Sequence, residues 1–77
     1  MKEQSRAFRA AWAAPPAQRE RQMLRLGEAG DVWAQAACYD IFDDRGEAAA
    51  ARGDTQAADE EYARALRWVR LACVCAP

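Results

Sequence analysis

The sequence predicts an all-α fold, a small bundle of about four helices that ends in a long antiparallel C-terminal helical hairpin. Twenty of the 77 residues are alanine, which favours helix strongly. Apolar residues recur at three- and four-residue spacings, and no segment has the sustained alternation of a strand. Prolines and glycine–aspartate pairs divide the chain into segments. We predict a single helical domain over residues 1–77, with helices at about 2–14, 17–29, 32–52 and 55–76.

The first two helices are separated by a proline pair. In the first helix, Phe8, Ala11 and Trp12 share one face. This helix must end near Ala14, because the residue before a proline avoids the helical conformation. Pro15-Pro16 forms the hinge, and Gly30 is a natural stop for the second helix.

Two glycine–aspartate pairs mark the later boundaries, at Gly30-Asp31 and Gly53-Asp54. In each pair the glycine ends one helix and the aspartate caps the next, where its carboxylate accepts free backbone N–H groups. So little chain remains for a loop that the third and fourth helices should form an antiparallel hairpin. Gly46 is the weak point of the third helix, and marks a close helix crossing, a bend or a break.

The fourth helix changes character along its length. Its first half is amphipathic, with Ala58, Tyr62 and Ala65 directed towards the third helix. Its second half is apolar around most of the circumference and must be covered on several sides. The chain ends at Pro77, so we expect either the first two helices or another protein to cover it. The predicted partner-binding residues here are Trp68, Leu71 and Val74.

Charge is unevenly distributed, although the net charge is only −1. Residues 26–61 carry ten acidic and two basic side chains, whereas both flanking regions are net basic. An acidic stripe at helical spacing lies on the third helix and consists of Asp40, Asp43, Asp44 and Glu47. This stripe is either a solvated face or a docking surface for a basic partner.

Two stretches have the pattern of a helical repeat. Residues 59–72 read DEEYARALRWVRLA, and residues 28–35 read EAGDVWAQ. The first is similar to the second helix of the SEL-like branch of the tetratricopeptide superfamily, roughly D-x-x-x-A-x-x-W-x-x-x-A, and the second resembles the turn between its repeats. The small and aromatic packing positions of the broader tetratricopeptide pattern are matched by Gly46, Gly53, Ala58, Tyr62 and Ala65.

The chain also departs from this pattern. Arg45 stands where the pattern has Leu, Ala49 where it has an aromatic residue, and Arg70 where it has Pro. Tyr39 replaces a Gly of the SEL-like first helix, and the Gly-rich connection between its helices is missing. The match covers at most one repeat, about residues 28–73. In the family such hairpins stack into scaffolds that bind proteins, so the resemblance implies a binding role and supplies no catalytic residues.

The side chains offer little for catalysis or cofactor binding. The chain has no His, no nucleophile–base pair and no phosphate loop, so we predict that it is not an enzyme and has no cofactor. Of the three cysteines, Cys73 and Cys75 point about 200° apart on a helix, so they cannot easily share a metal. We interpret them, with Cys38, as buried small hydrophobes. An odd number of cysteines suits reduced thiols in the cytoplasm.

Three functional hypotheses follow. The preferred one is a small protein–protein interaction module that binds a partner protein or forms a homodimer. A sub-form of this hypothesis is a free-standing accessory or inhibitor protein of phage or plasmid origin. The alternative is a nucleic-acid-binding regulator, with Arg64, Arg67 and Arg70 contacting phosphates while Trp68 stacks on a base. The third is a thiol-dependent metal sensor. No apolar run is long enough to suggest a membrane span.

Overall fold

A computed structural model describes residues 3–75 and, within them, the side chains of residues 3–72. It contains four helices, α1 (Arg6–Trp12), α2 (Pro16–Glu28), α3 (Val32–Ala51) and α4 (Thr55–Cys75). No strand occurs in the described part of the chain. The all-α prediction is therefore confirmed. No helix among these residues is both long and apolar enough to cross a membrane.

The first helix is shorter than the sequence indicated. It begins at Arg6 because Ser5 is its N-cap, with the Ser5 hydroxyl accepting a hydrogen bond from the Phe8 N–H at 2.9 Å. The same hydroxyl donates to the Asp31 carboxylate at 2.7 Å. The helix ends at Trp12, and a short turn precedes Pro15. Ser5 thus caps α1 and ties it to the start of α3.

The two glycine–aspartate junctions have the same geometry. Gly30 and Gly53 have φ angles of 102° and 80°, which residues with a Cβ atom rarely adopt. The N–H of each following aspartate donates to the carbonyl five residues earlier at 3.0 Å, as in a Schellman motif. Each aspartate carboxylate then accepts the N–H three residues later, at 3.0 and 3.1 Å. One Gly-Asp pair thus ends a helix and begins the next, as predicted.

The helices α3 and α4 form the largest interface of the fold. Gly46 of α3 lies against Tyr62 of α4, and Cys38, further from the connection, lies near Trp68. This order of pairs makes the hairpin antiparallel. The α3 helix runs through Gly46 without interruption, and a Cβ added there would be 2.5 Å from Tyr62 Cε1. Of the three alternatives for Gly46, the structure thus has the close helix crossing.

The core includes side chains from all four helices. Its buried members include Phe8 from α1, Met23 from α2, Cys38 and Phe42 from α3, and Trp68 from α4. Trp68 is only 2% exposed. A Cβ added at Gly27 would be 2.7 Å from Trp68 Cζ3, so α2 packs directly on the indole. Helices of the same chain therefore cover this part of α4, and no second protein is needed to bury Trp68.

The helices are arranged in two layers. Consecutive helices pack on each other. The Phe8–Trp33 ring contact places α1 beside α3. The Gly27–Trp68 contact places α2 beside α4. The backbone measures 38 × 29 × 17 Å along its principal axes, and the smallest dimension suits two helix layers about 8–10 Å apart.

Candidate functional site

A groove of about 460 Å³ lies between α1 and α3. Its lining residues come from the segment before α1, from α1 itself and from the first half of α3. They are Gln4, Phe8, Arg9, Trp12, Trp33, Ala36, Ala37 and Asp40. We call this the α1–α3 groove.

Three aromatic rings form the apolar part of the groove. Phe8 is buried and contacts both indoles, with ring centroids 6.1 Å from Trp12 and 6.2 Å from Trp33. Trp12 is nevertheless 57% exposed. Its ring stacks on Phe8, with the planes 22° apart, and the Arg19 guanidinium carbon is 5.5 Å from its centroid. Neighbouring side chains thus hold the Trp12 ring in place, although most of it remains exposed to solvent.

The position of Trp12 follows from the local sequence. Phe8 and Ala11 fill the core-facing side of α1, which leaves Trp12 at the edge of that helix. The Arg19 guanidinium donates to the Ala14 carbonyl at 3.2 Å, and so joins the start of α2 to the proline hinge beside the ring. The Trp12 ring is thus held at the edge of the fold and is not part of the core.

The two walls of the groove carry opposite charges. Arg9, on α1, is exposed, and Arg6 is exposed one turn before it. Asp40, on α3, is exposed on the other wall and begins the acidic stripe of Asp40, Asp43, Asp44 and Glu47. Within residues 3–72, none of these four carboxylates forms a salt bridge. The acidic wall is therefore not neutralised by any described cation of its own chain.

The partner-binding patch predicted on α4 is not formed as expected. Trp68 is in the core, and Leu71 is half-buried against the same core, so neither presents its full side chain to a partner. Of the two expected covers for Trp68, the structure has the one from the same chain, because α2 packs on the ring. Val74 lies outside the described side chains. Among residues 55–72 of α4, the large apolar residue that is exposed is Leu66, at 54%.

The arginines proposed to contact nucleic acid lie on α4, but they do not flank an accessible ring. Arg64 pairs with Glu61 on its own helix, and Arg67 is 3.4 Å from a Glu28 carboxylate oxygen. Arg70 is exposed. The Trp68 ring cannot stack on a base, because it is buried in the core and the Arg67 guanidinium carbon lies 5.5 Å from its centroid. The stacking part of the nucleic-acid hypothesis is therefore wrong for this fold.

Arg45 is the centre of a second charge cluster, which joins three helices. Its guanidinium pairs with Glu20 of α2 and lies 4.0 Å from a Glu61 carboxylate oxygen of α4. The guanidinium carbon is also 5.4 Å from the centroid of the Phe42 ring. Arg45 stands where the tetratricopeptide pattern has Leu, and here ion pairs at the surface connect the helices instead.

The only cysteine side chain in the described region is Cys38, which is buried in the core. Burial and, to a smaller extent, the negative charges of Glu28 and Glu20 together raise the pKa of its thiol from 9.0 to about 12. A thiol that stays protonated is a poor nucleophile and a poor metal ligand, because both roles need the thiolate. Cys73 and Cys75 lie outside the described side chains. Among the residues that were placed, no group of three or more His, Cys, Asp or Glu is arranged to hold a metal ion.

Of the predicted partner-binding residues whose side chains are described, only Asp40 lines the α1–α3 groove. The aromatic lining was not predicted as a site, because it combines α1 with a helix more than twenty residues away in sequence. One signal was present. A tryptophan at the end of a short helix, just before a proline pair, has few positions in which it can be fully covered.

No protein-family model, curated protein or solved structure matches this chain. The contact of Gly46 with Tyr62 is the kind of small–aromatic packing that the repeat pattern requires. Any close crossing of two helices can use the same packing, however, so kinship with the tetratricopeptide superfamily stays a prediction.

Proposed function

We propose that this chain is a small helical protein–protein interaction module that binds its partner in the α1–α3 groove. The observation that carries the proposal is Trp12, a tryptophan 57% exposed at the edge of an aromatic groove. Tryptophan is enriched among the residues that dominate binding energy, where a partner covers the ring. Phe8 and Arg19 already hold the ring in place, so a partner loses little rotamer entropy in covering it.

The shape and charge of the groove favour a helix of another protein as its occupant. Two helices form its walls, and an amphipathic helix in such a groove places apolar side chains at i, i+3 or i+4, and i+7 along the floor. The acidic wall on α3 favours basic side chains on the flank that lies over Asp40 and Asp44. A small polar ligand is less well matched, because such sites enclose their ligand and direct several polar groups at it.

This proposal can be tested with a displayed library of helical peptides. The peptides carry a fixed apolar stripe and randomised flanks, and are selected against the folded 77-residue chain. We expect the selected sequences to bear Lys or Arg on one flank. Their affinity is then measured by fluorescence anisotropy for the unmodified chain and for two variants.

The informative variant is Trp12→Ala, and its matched control is Leu66→Ala. Both side chains are large, apolar and more than half exposed, but only Trp12 lines the groove. We expect Trp12→Ala to weaken peptide binding by about tenfold or more and Leu66→Ala to leave it unchanged. Circular dichroism establishes that both variants fold. The proposal fails if no peptide is selected, or if Trp12→Ala binds the selected peptides as tightly as the unmodified chain.

A further inference from the structure

We infer that the α1–α3 groove is complementary to itself, so that two copies of this chain form a two-fold symmetric dimer in which Arg9 of each copy faces Asp40 of the other. This inference rests on the proposed function of the groove, and adds that dimerisation regulates the binding of the partner helix there. A dimer of this kind covers the surface to which the partner helix binds.

Charge complementarity selects the second copy and its orientation. One wall of the groove is basic at Arg9, and the other is acidic at Asp40, the first residue of the acidic stripe. A two-fold axis running along the groove places the basic wall of each copy over the acidic wall of the other. An axis running across the groove would bring like charges together, which is unfavourable. The charges therefore permit only one of the two symmetric arrangements.

The apolar part of the groove has the composition of an interface centre. Trp12 is 57% exposed, Trp33 is half-buried and Ala36 is exposed between the two charged walls. An aromatic centre with charged side chains at its rim is typical of protein interfaces. A small chain with an alanine-rich core also gains stability from burial against a second copy.

The charged groups near the groove do not already neutralise one another. Within residues 3–72, neither Arg9 nor Asp40 takes part in a salt bridge. The cations of α4 that pair within the chain do so with Glu61 and Glu28, away from the groove. Arg9 and Asp40 are therefore both available to a second copy.

The arrangement has a functional consequence. Because a partner helix and a second copy both cover Trp12, they exclude each other. The dimer is then a resting form from which a partner releases the single chain. The apparent affinity for a groove-binding peptide should fall as the concentration of the chain rises through its dimer dissociation constant.

Sedimentation velocity over a range of micromolar concentrations tests the dimer, using two charge-reversal variants. Arg9→Glu alone and Asp40→Arg alone each place like charges opposite one another twice in a homodimer. We expect each of these variants to dimerise about tenfold more weakly, or not at all. An equimolar mixture of the two variants restores both ion pairs, so it should form a heterodimer about as stable as the original dimer.

The controls are charge reversals away from the groove. Arg21→Glu on α2 and Asp59→Arg on α4 change exposed charges that do not line it, and should leave dimerisation unchanged. The inference is overturned if the unmodified chain stays monomeric, or if the mixture associates no better than its components. Growth into larger oligomers with rising concentration also overturns it, because that indicates a head-to-tail contact such as one through Leu66.

These results separate the inference from the proposed function. A monomeric chain that binds the selected peptides through Trp12 overturns the dimer and leaves the proposed function standing. A chain that dimerises as described, but that selects no peptide even at concentrations below its dimer dissociation constant, supports the dimer and overturns the proposed partner helix. The Trp12→Ala variant identifies the groove as the surface involved, through weaker peptide binding in the first case and weaker dimerisation in the second.

Discussion

The indole of Trp68 lies so close to Gly27 that a Cβ at position 27 would be 2.7 Å from Cζ3 and 3.1 Å from the neighbouring ring carbon. Gly27 is therefore a packing residue within α2, and its missing side chain allows that helix to cover Trp68. The contact explains how a fourth helix that is apolar on several sides fits into a chain of 77 residues.

Gly27→Ala should destabilise the fold, although alanine is the better helix former. Trp68 is 2% exposed and has no space into which it can move, so the new methyl group overpacks the core at a cost of roughly 1–3 kcal/mol. That cost exceeds the gain in helix propensity of up to about 1 kcal/mol. Urea unfolding followed by circular dichroism measures the loss. In a Trp68→Leu background the same change should be neutral or stabilising, and an equal loss there would contradict this explanation.

Gly46→Ala should be destabilising by a smaller amount. The added methyl group would meet the Tyr62 ring at 2.5 Å, but Tyr62 is only half-buried and can turn towards solvent. We expect a loss of about 1 kcal/mol, measured by the same unfolding experiment. With Tyr62→Ala as the background, Gly46→Ala should instead stabilise by up to about 1 kcal/mol through helix propensity. A loss in both backgrounds would show that the crossing does not depend on this ring.

Arg45→Ala should reduce stability by about 1 kcal/mol at low ionic strength. The guanidinium joins α2 to α4 through Glu20 and Glu61, and exposed ion pairs contribute up to about 1 kcal/mol. The loss should shrink when salt is added, because ions screen exposed charges. Arg21→Ala, at an exposed arginine on α2 with no salt bridge in the described region, serves as the control. A loss that does not respond to salt would indicate that packing of the Arg45 stem on Phe42 matters more.

The buried thiol predicts a loss of stability at high pH. The folded state raises the pKa of Cys38 from 9.0 to about 12, so it holds the proton more tightly than the unfolded chain does. The stabilisation is therefore fully present below about pH 9 and is lost as pH rises towards 12. The free energy of unfolding, measured from pH 8 upwards, should fall more steeply for the unmodified chain than for Cys38→Ala. Equal slopes would show that folding does not raise the pKa of Cys38.

The parts of this fold that local chemistry determines were predictable. Each Gly-Asp junction supplies its own C-cap and N-cap, so the helix boundaries there depend on two adjacent residues. Ser5 acts in the same local way, but Phe8 stands at the N3 position, where a glutamate would have marked a capping box. The sequence consequently predicts a start for the first helix at about residue 2, which is earlier than the observed start at Arg6.

The parts that depend on contacts between distant segments were not predictable. Nothing in the pattern of α4 indicates that Trp68 packs on Gly27, because the two residues belong to helices that are not consecutive. The α1–α3 groove is a similar case, since Phe8 and Trp33 belong to helices that α2 separates in the sequence. The acidic stripe draws attention to Asp40 in the sequence. The aromatic residues beside it lie on two different helices, and no local pattern indicates that those helices meet.

The hydrogen bond between Ser5 and Asp31 has a consequence for motion. With seven residues, α1 is too short to be stable by itself, and depends on this bond and on Phe8 and Ala11 for its place. Its amide protons should therefore exchange with solvent by local opening, faster than those at the crossing of α3 and α4. One wall of the groove is thus the least protected helix of the fold, and any protein that occupies the groove should slow exchange in α1 most of all.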